Sequence, residues 1–231
     1  MAEIVIALDM ASGREALALL DRLPGARWVK VGSVLMTREG PELVRELSGR
    51  GLAIFLDLKW HDIPSTVAGA VDAARDTGIA MVTVHTLGGL AMMRAAQAAA
   101  GPAFAVVGVT VLTSHDDGSF ARVVGRDRVD LHREVGRLAG MAMEAGLAGI
   151  VCSPHEARVM RERLGASARI VVPGIRRASD GAGDQQRTGT AREAARDGAT
   201  HLVVGRPITA AADPAAVLGA LMEEAECGAD S

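Results

Sequence analysis

The sequence alternates eight apolar runs of strand length with eight amphipathic stretches of helical period. Strands that alternate strictly with helices lie parallel to one another, because each helix carries the chain back across the sheet. Eight such units within 231 residues favour a closed barrel over an open doubly wound sheet. The G-x-G-x-x-G turn of dinucleotide-binding sheets does not follow the first predicted strand. We therefore predict an α/β fold, a (β/α)8 TIM barrel, forming a single domain over residues 1–231, with 227–231 as a frayed tail.

The boundaries follow from the change between strand-like and helix-like periodicity. The predicted strands are Glu3–Asp9, Trp28–Gly32, Leu52–Lys59, Ile79–His85, Ala103–Val111, Leu147–Cys152, Arg169–Pro173 and Thr200–Gly205. The predicted helices are Gly13–Arg22, Gly40–Arg50, Val67–Thr77, Gly89–Ala99, Arg128–Ala145, His155–Leu164, Thr190–Asp197 and Pro214–Glu226. In such a barrel the chemistry lies at the carboxyl ends of the strands, so polar residues there are the candidates for function.

Composition argues against several classes of protein. The 25 basic and 28 acidic residues give a net charge of −3, which is against binding nucleic acid through bulk positive charge. No apolar run is long enough for a membrane span, and we expect no secretory signal before Glu3. Cys152 and Cys227 are predicted to be unpaired thiols in a reducing compartment, so the expected location is the cytoplasm. The six histidines lack metal-ligand spacing, and no metal site is expected.

Lysine is rare in this chain, since Lys30 and Lys59 are the only two among 25 basic residues. A coding bias that replaces lysine by arginine would leave lysine where arginine cannot serve. Lysine can donate a proton from a compact ammonium group, whereas arginine stays protonated. Strand alternation places Asp57 and Lys59 on one face of the third strand and points both into the barrel, and Lys30 points inward from the second strand. Survival of the two lysines by chance is the alternative.

The charged residues at these strand ends can neutralise one another. Lys30, Asp57, Lys59 and Asp62 would form an alternating array without net charge. Flanking carboxylates favour the ammonium form of Lys59, which makes this lysine a better acid than Schiff-base nucleophile. The alternative is an ion-pair network that only stabilises the barrel mouth.

Two later segments predict a phosphate site. Pro173–Arg176 ends the seventh strand and Val203–Pro207 ends the eighth, and loops after these strands commonly bind phosphate in such barrels. Gly205 allows backbone N–H groups to approach an anion, and an arginine fork matches phosphate oxygens. The polar stretch 178–188, which includes Gln185, has the composition of a lid. Ordinary turn chemistry at the glycines is the alternative.

Residues 57–66, Asp-Leu-Lys-Trp-His-Asp-Ile-Pro-Ser-Thr, resemble the signature of the orotidine 5′-monophosphate decarboxylase family. The resemblance extends over essentially the whole chain in the order of the family. The other matching segments are Ala7–Asp9, Val29–Gly32, Val109–Ser114, Pro173–Arg176, Gly183–Gln185 and Val204–Pro207.

This resemblance implies a cofactor-free (β/α)8 barrel that decarboxylates orotidine 5′-monophosphate to uridine 5′-monophosphate, the last step of de novo pyrimidine nucleotide synthesis. It implies that Lys59 protonates C6 of the pyrimidine as CO₂ leaves, with Asp57 beside the substrate carboxylate. Lys30 and Asp62 would complete the charged array. The family forms homodimers with active sites at the interface, and Asp62 and Thr66 would reach into the neighbouring subunit's site.

The resemblance also implies a set of substrate-binding residues. Asp9 and Lys30 would hold the ribose hydroxyls, and Thr113 would contact the pyrimidine. The phosphate would be held by Arg176, Gln185, Gly205 and Arg206. Partners other than a small nucleotide and a second copy of the chain, including nucleic acid and membranes, are not expected.

Some positions depart from the family pattern. Trp60 replaces a smaller aromatic residue, Ser65 stands where asparagine is expected, and the stretch after Gln185 lacks a Thr-Pro helix start. These changes bear on loop detail and interface packing, because none removes a proposed catalytic group.

Three other functions remain open from the sequence. The first is a magnesium-dependent sugar-phosphate enzyme, a 3-keto-gulonate 6-phosphate decarboxylase or a hexulose-phosphate synthase, which would share the D-x-K-x-x-D pattern. The second is an aldolase with a Schiff base on Lys59. The third is a non-catalytic phosphate-binding barrel whose charged residues are structural.

Overall fold

Eight parallel strands close into one barrel in the order β1 to β8, and β8 pairs with β1. The computed structural model describes residues 2–177 and 187–229. The strands are β1 Glu3–Ala7, β2 Trp28–Gly32, β3 Ala53–Trp60, β4 Met81–His85, β5 Ala105–Val109, β6 Gly149–Val151, β7 Arg169–Pro173 and β8 His201–Val204. The predicted (β/α)8 barrel is confirmed.

Helices form the outer layer of the barrel. In the described residues these are α1 Gly13–Leu20, α2 Ser33–Gly49, α3 Pro64–Ala74, α4 Gly89–Ala100, α5 Asp117–Val123, α6 Leu131–Glu144, α7 Ala157–Leu164, α8 Ala191–Arg196, α9 Arg206–Thr209 and α10 Pro214–Ala229. Short 3-10 turns lie at Arg75–Thr77, Thr86–Gly88 and Pro154–Glu156. None of the helices in these ranges has the length and apolar character to cross a membrane.

The core has two layers, as strand alternation requires. Outward-facing strand residues pack against the helices in one large cluster, and inward-facing residues fill the barrel. The inner cluster consists of Val5, Ala7, Phe55, Met81, Ala105, Val107, Val171 and Val203. Phe55 is the inward residue that precedes Asp57 and Lys59 on β3, so the charged pair continues the inner row toward the carboxyl end.

Predicted and observed boundaries differ mainly at the ends of elements. The strand bounds of β2 and β7 agree, whereas β1 ends at Ala7 and not at Asp9. The short helices α5 and α9 were not predicted. Helix α5 begins with a capping box between Asp116 and Ser119. The polar residues of this capping box are typical of a loop, which explains why the sequence pattern did not indicate a helix here.

The last helix extends beyond its predicted end at Glu226 and includes part of the expected tail. It continues to Ala229 because Gly228 packs closely on α8, where an added Cβ would lie 2.3 Å from the Arg192 carbonyl oxygen. Residues 227–229 of the expected tail therefore lie within this helix.

The buried His201 predicts acid sensitivity of folding. Burial, with a further contribution from Arg169, lowers the pKa of His201 from 6.5 to about 4. The unfolded chain therefore binds a proton below about pH 6.5 that the folded chain takes up only near pH 4, so stability falls as pH falls through this window. We expect His201 to account for a loss of about 2 kcal/mol between pH 7.5 and pH 5. Urea unfolding of the wild type and of His201→Leu at both pH values measures the contribution of His201 to this loss. If the free energy of unfolding depends equally on pH in both proteins, the prediction is wrong.

Candidate active site

A cavity of about 580 Å³ opens at the carboxyl ends of the strands. Its lining brings together most of the residues that the sequence singled out, from β1 to the start of α9. The predicted site residues in its wall are Asp9, Lys30, Asp57, Lys59, Thr113, Arg176, Gly205 and Arg206.

Four charged side chains form a connected array on one side of this cavity. Lys59 Nζ lies 2.9 Å from Asp57 Oδ2, and Lys30 Nζ lies 3.7 Å from the same oxygen. Lys30 Nζ also donates to Asp9 Oδ1 at 2.8 Å. The side chains of Lys30 and Asp57 are only 10% and 12% exposed, so their charges depend on one another for solvation.

The array departs from the four-member set expected from the sequence. Within one chain, the second carboxylate of the array is that of Asp9. Asp62 lies outside the cavity, where its carboxylate accepts from the Ile63 N–H at 2.6 Å. Thr66 is likewise outside and exposed, in the first turn of α3.

A backbone irregularity in β3 sets the position of Lys59. The pairing of β3 with β4 shifts register between Leu56 and Trp60, which is the signature of a bulge. Lys59 has a φ of 52°, the one positive value for a non-glycine residue in the described part of the chain. Left-handed backbone is unfavourable for lysine, and such conformations concentrate at functional sites where surrounding contacts enforce them.

Sequence reasoning missed Thr83, which contacts this bulge. Its Oγ1 accepts from the Lys59 backbone N–H at 2.8 Å and donates to Asp57 Oδ1 at 3.0 Å. The signal was present, because Thr83 follows the inward-facing Met81 by two residues on β4 and is a polar member of that row.

Further basic residues line the cavity after β7 and β8. Arg176 follows β7, and Gly205 and Arg206 begin α9 after β8. Among the described residues, the charged side chains in the cavity wall are four basic and two acidic, an excess of two positive charges. Such an excess raises the local concentration of anionic ligands. Gln185 and the predicted lid residues 178–186 lie outside the described residues.

A buried ion pair beside the cavity was also missed by the sequence reasoning. Arg187 Nη1 lies 2.5 Å from Glu156 Oε1, and Arg187 Nη2 donates to the carbonyl oxygens of Val111 and Leu112, each at 3.2 Å. These carbonyls directly precede Thr113 in the cavity wall. The local sequence pattern does not predict a contact between positions 156 and 187, because these residues come together only in the folded barrel.

Other titratable groups near the mouth are held neutral. Burial, then the charges of His61 and Lys59, lowers the pKa of His85 to about 4, and its Nδ1 accepts from the Leu87 N–H at 3.3 Å. Burial raises the pKa of the Cys152 thiol in the cavity wall, so it stays protonated. Among the described residues, no group of three or more His, Cys, Asp or Glu side chains is arranged to hold a metal ion.

The fold and the cavity together define a (β/α)8-barrel enzyme with a lysine–aspartate pair at the carboxyl ends of its strands. Residues 2–221 match the family described as orotidine 5′-phosphate decarboxylase / HUMPS. An orotidine 5′-phosphate decarboxylase of Halorhodospira halophila is 49% identical over 227 residues, covering 96% of this chain and 94% of the relative. One from Shewanella sediminis is 48% identical, covering 94% of each chain.

A solved structure agrees with these sequence relatives. The crystal structure of orotidine 5′-phosphate decarboxylase from Lactobacillus acidophilus superposes with a TM-score of 0.86 at 35% identity, covering 97% of this chain and 99% of that one. The chain belongs to the orotidine 5′-phosphate decarboxylase / HUMPS family and is a carboxy-lyase. The resemblance predicted from residues 57–66 is thereby confirmed.

Proposed function

We propose that this enzyme converts orotidine 5′-monophosphate to uridine 5′-monophosphate and CO₂ without a metal or an organic cofactor. The observation that carries the proposal is the Lys59–Asp57 contact of 2.9 Å in a cavity that Arg176 and Arg206 also line. The names of the relatives at 48% and 49% identity support the same reaction. In cells it would run in the cytoplasm, where the thiol of Cys152 stays reduced.

The reaction requires the site to stabilise a localised carbanion. When the bond between C6 and the carboxylate carbon breaks, its electron pair stays on C6, and no neighbouring group accepts it by resonance. The Lys59 ammonium stabilises this charge and then transfers one proton from Nζ to C6, which leaves a neutral amine that solvent protonates again. Charges fixed beforehand act without reorganising during the step.

The rest of the array prepares this transfer. Asp57 holds the Lys59 ammonium and would lie beside the substrate carboxylate, whose negative charge passes to C6 as CO₂ leaves and is neutralised there by the proton from Lys59. Lys30 and Asp9, joined at 2.8 Å, would bind the ribose hydroxyls. A hydroxyl group can both donate and accept a hydrogen bond, so it can accept from the ammonium and donate to the carboxylate.

The remaining residues would bind the two ends of the nucleotide. Thr113 would contact the pyrimidine. The backbone at Gly205 and the guanidinium groups of Arg176 and Arg206 would bind the phosphate, joined by Gln185 from the proposed lid. Binding energy at the phosphate can promote closure and so assist the chemical step at a distance.

The proposed enzyme is a homodimer in which Asp62 and Thr66 enter the partner's site. Both residues are exposed in the single chain, and Ile63 between them is 63% exposed, so this surface is open to a second copy of the chain.

Subunit mixing tests this sharing of residues. Lys59→Ala and Asp62→Ala damage different subunits of a shared site, so a mixed dimer contains one doubly damaged site and one intact site. We expect each variant alone to be nearly inactive and an equimolar mixture to recover about a quarter of wild-type activity after dissociation and reassociation. Activity that stays at the level of the separate variants would contradict the shared site, provided that native mass spectrometry detects mixed dimers.

The decisive test of the reaction is an ultraviolet assay on protein treated with EDTA. We expect conversion of orotidine 5′-monophosphate without added metal, and much weaker conversion of orotidine, which lacks the phosphate. Failure of folded protein to convert the nucleotide would overturn the proposal. Activity on a keto-sugar phosphate that requires added Mg²⁺ would instead support the sugar-phosphate enzymes of the same barrel.

A further inference from the structure

We propose that Thr83 is a positioning residue that fixes the reacting end of β3, because one hydroxyl group holds both the Lys59 backbone and the Asp57 carboxylate. The inference rests on the proposed function, in which Lys59 supplies the proton and Asp57 orients it. Thr83 lies on the neighbouring strand β4, is fully buried, and does not line the cavity. Its effect on the reaction would therefore pass through the two residues it binds.

The first argument is the gap in the strand pairing. Between the two flanking register pairs, β3 contains the three residues Asp57, Leu58 and Lys59, whereas β4 contains Thr83 alone. A bulge of this kind leaves backbone groups without ladder partners. The hydroxyl of Thr83 receives the Lys59 N–H at 2.8 Å and so replaces a missing ladder bond. The flanking pairs are Leu56 with Val82 and Trp60 with Val84.

The second argument is the direction of the two hydrogen bonds. An amide N–H can only donate, and an ionised carboxylate can only accept. The hydroxyl hydrogen of Thr83 must therefore point to Asp57 Oδ1, 3.0 Å away, while an oxygen lone pair receives the Lys59 N–H. One orientation satisfies both contacts, and the burial of Thr83 keeps water from replacing either of them.

The third argument is that these contacts close a ring around Lys59. Asp57 Oδ1 binds Thr83, and Asp57 Oδ2 binds Lys59 Nζ at 2.9 Å. The same lysine is thus held at its backbone by Thr83 and at its ammonium by a carboxylate that Thr83 orients. A lysine side chain has many rotamers, and its backbone here adopts the unfavourable φ of 52°. The ring supplies the contacts that enforce both.

The test compares three threonine variants. Thr83→Val removes the hydroxyl and keeps the shape, and Thr83→Ser restores the hydroxyl. Thr86→Val is the matched control, because Thr86 is also fully buried and donates to the Val109 carbonyl oxygen at 2.8 Å, away from the array. The control loses a buried hydrogen bond of the same kind without touching Lys59.

Kinetics give the first measurement. We expect Thr83→Val to lower kcat on the order of 10- to 100-fold, because small displacements of reacting groups are costly. KM should stay within about threefold, since the ribose and phosphate contacts remain. Thr83→Ser should recover most of the loss, and Thr86→Val should keep wild-type kcat. Equal losses in Thr83→Val and Thr86→Val, or no rescue by serine, would overturn the positioning role.

The second measurement needs no activity and uses the rarity of lysine. Protein labelled with ¹⁵N-lysine gives two backbone amide signals, from Lys30 and Lys59, and Lys59→Arg assigns them by loss of one. In Thr83→Val we expect the Lys59 amide signal to shift and its hydrogen exchange to accelerate at least about tenfold, with both unchanged in Thr86→Val. An unperturbed Lys59 amide in Thr83→Val would overturn the proposal. If the wild type has no decarboxylase activity, the proposed function is wrong. The Lys59 amide signal would still test whether Thr83 holds the Lys59 backbone.

Discussion

Replacing Lys59 with alanine is expected to lower kcat by about 10⁴-fold or more while the enzyme still binds uridine 5′-monophosphate. The substitution removes the proton donor together with the positive charge closest to the developing carbanion. Product binding should change far less, because the residues assigned to the ribose and phosphate lie elsewhere in the cavity wall. Stopped assays with concentrated enzyme and calorimetric titration of the product measure the two quantities.

Lys59→Arg is the matched variant that separates charge from proton transfer. Arginine keeps a positive charge near Asp57 but does not release a proton near neutral pH. If proton donation matters beyond charge, Lys59→Arg should stay far below wild type and still bind the product. A Lys59→Ala enzyme that keeps more than about 1% of wild-type kcat would contradict the assigned role.

Lys59→Ala should stay folded, so its loss of kcat should not come from unfolding. Asp57 would keep Lys30 as a counter-ion at 3.7 Å and the Thr83 hydroxyl at 3.0 Å after Lys59 is removed. The side chain of Lys59 is 39% exposed, so its truncation leaves no sealed cavity. We expect a near wild-type urea midpoint for Lys59→Ala, in contrast to its kcat.

The sequence predicted the barrel and the inward row of β3 because both follow from periodicity. Phe55, Asp57 and Lys59 alternate with apolar residues that pack on the helices, and this pattern fixes which face is which. The eight-unit alternation in turn fixes the closed topology. Such features are local or repeat along the chain, so they can be read without knowing distant contacts.

The parts that escaped prediction depend on neighbours that are remote in sequence. The bulge at Lys59 is visible only in the pairing of β3 with β4, and Thr83 gains its role only opposite that bulge. Likewise the ion pair of Asp9 with Lys30 forms because β1 and β2 lie side by side. Alternation places a side chain on a face, but only strand register determines its partners.

The buried pair of Glu156 and Arg187 should be among the most sensitive positions for folding. Glu156 is 2% exposed, and it accepts from Arg187 on Oε1 and from the Ser153 N–H and hydroxyl on Oε2. Removing only the guanidinium leaves a buried carboxylate charge whose one remaining ionisable neighbour among the described ion pairs is His132, with Nδ1 3.8 Å from Oε1. We expect Arg187→Met to lower the free energy of unfolding by about 3–5 kcal/mol.

Two further variants make this result specific to burial of the ion pair. In the double variant Glu156→Gln/Arg187→Met the buried charge is gone while the amide oxygen can still accept from Ser153, so stability should recover by about 2 kcal/mol or more. Arg158→Met removes an arginine whose ion pair with Glu162 is about 70% exposed on both sides, and it should change stability by less than about 0.5 kcal/mol.

Urea unfolding followed by fluorescence and circular dichroism measures all three variants against wild type. Coincident transitions from the two probes justify a single free energy of unfolding. The pair also holds the carbonyls of Val111 and Leu112 beside Thr113, so Arg187→Met should raise KM in conditions where the protein is still folded. A loss no larger than that of Arg158→Met would show that Glu156 is solvated well enough by Ser153 alone, and the assigned importance of Arg187 for folding would then be wrong.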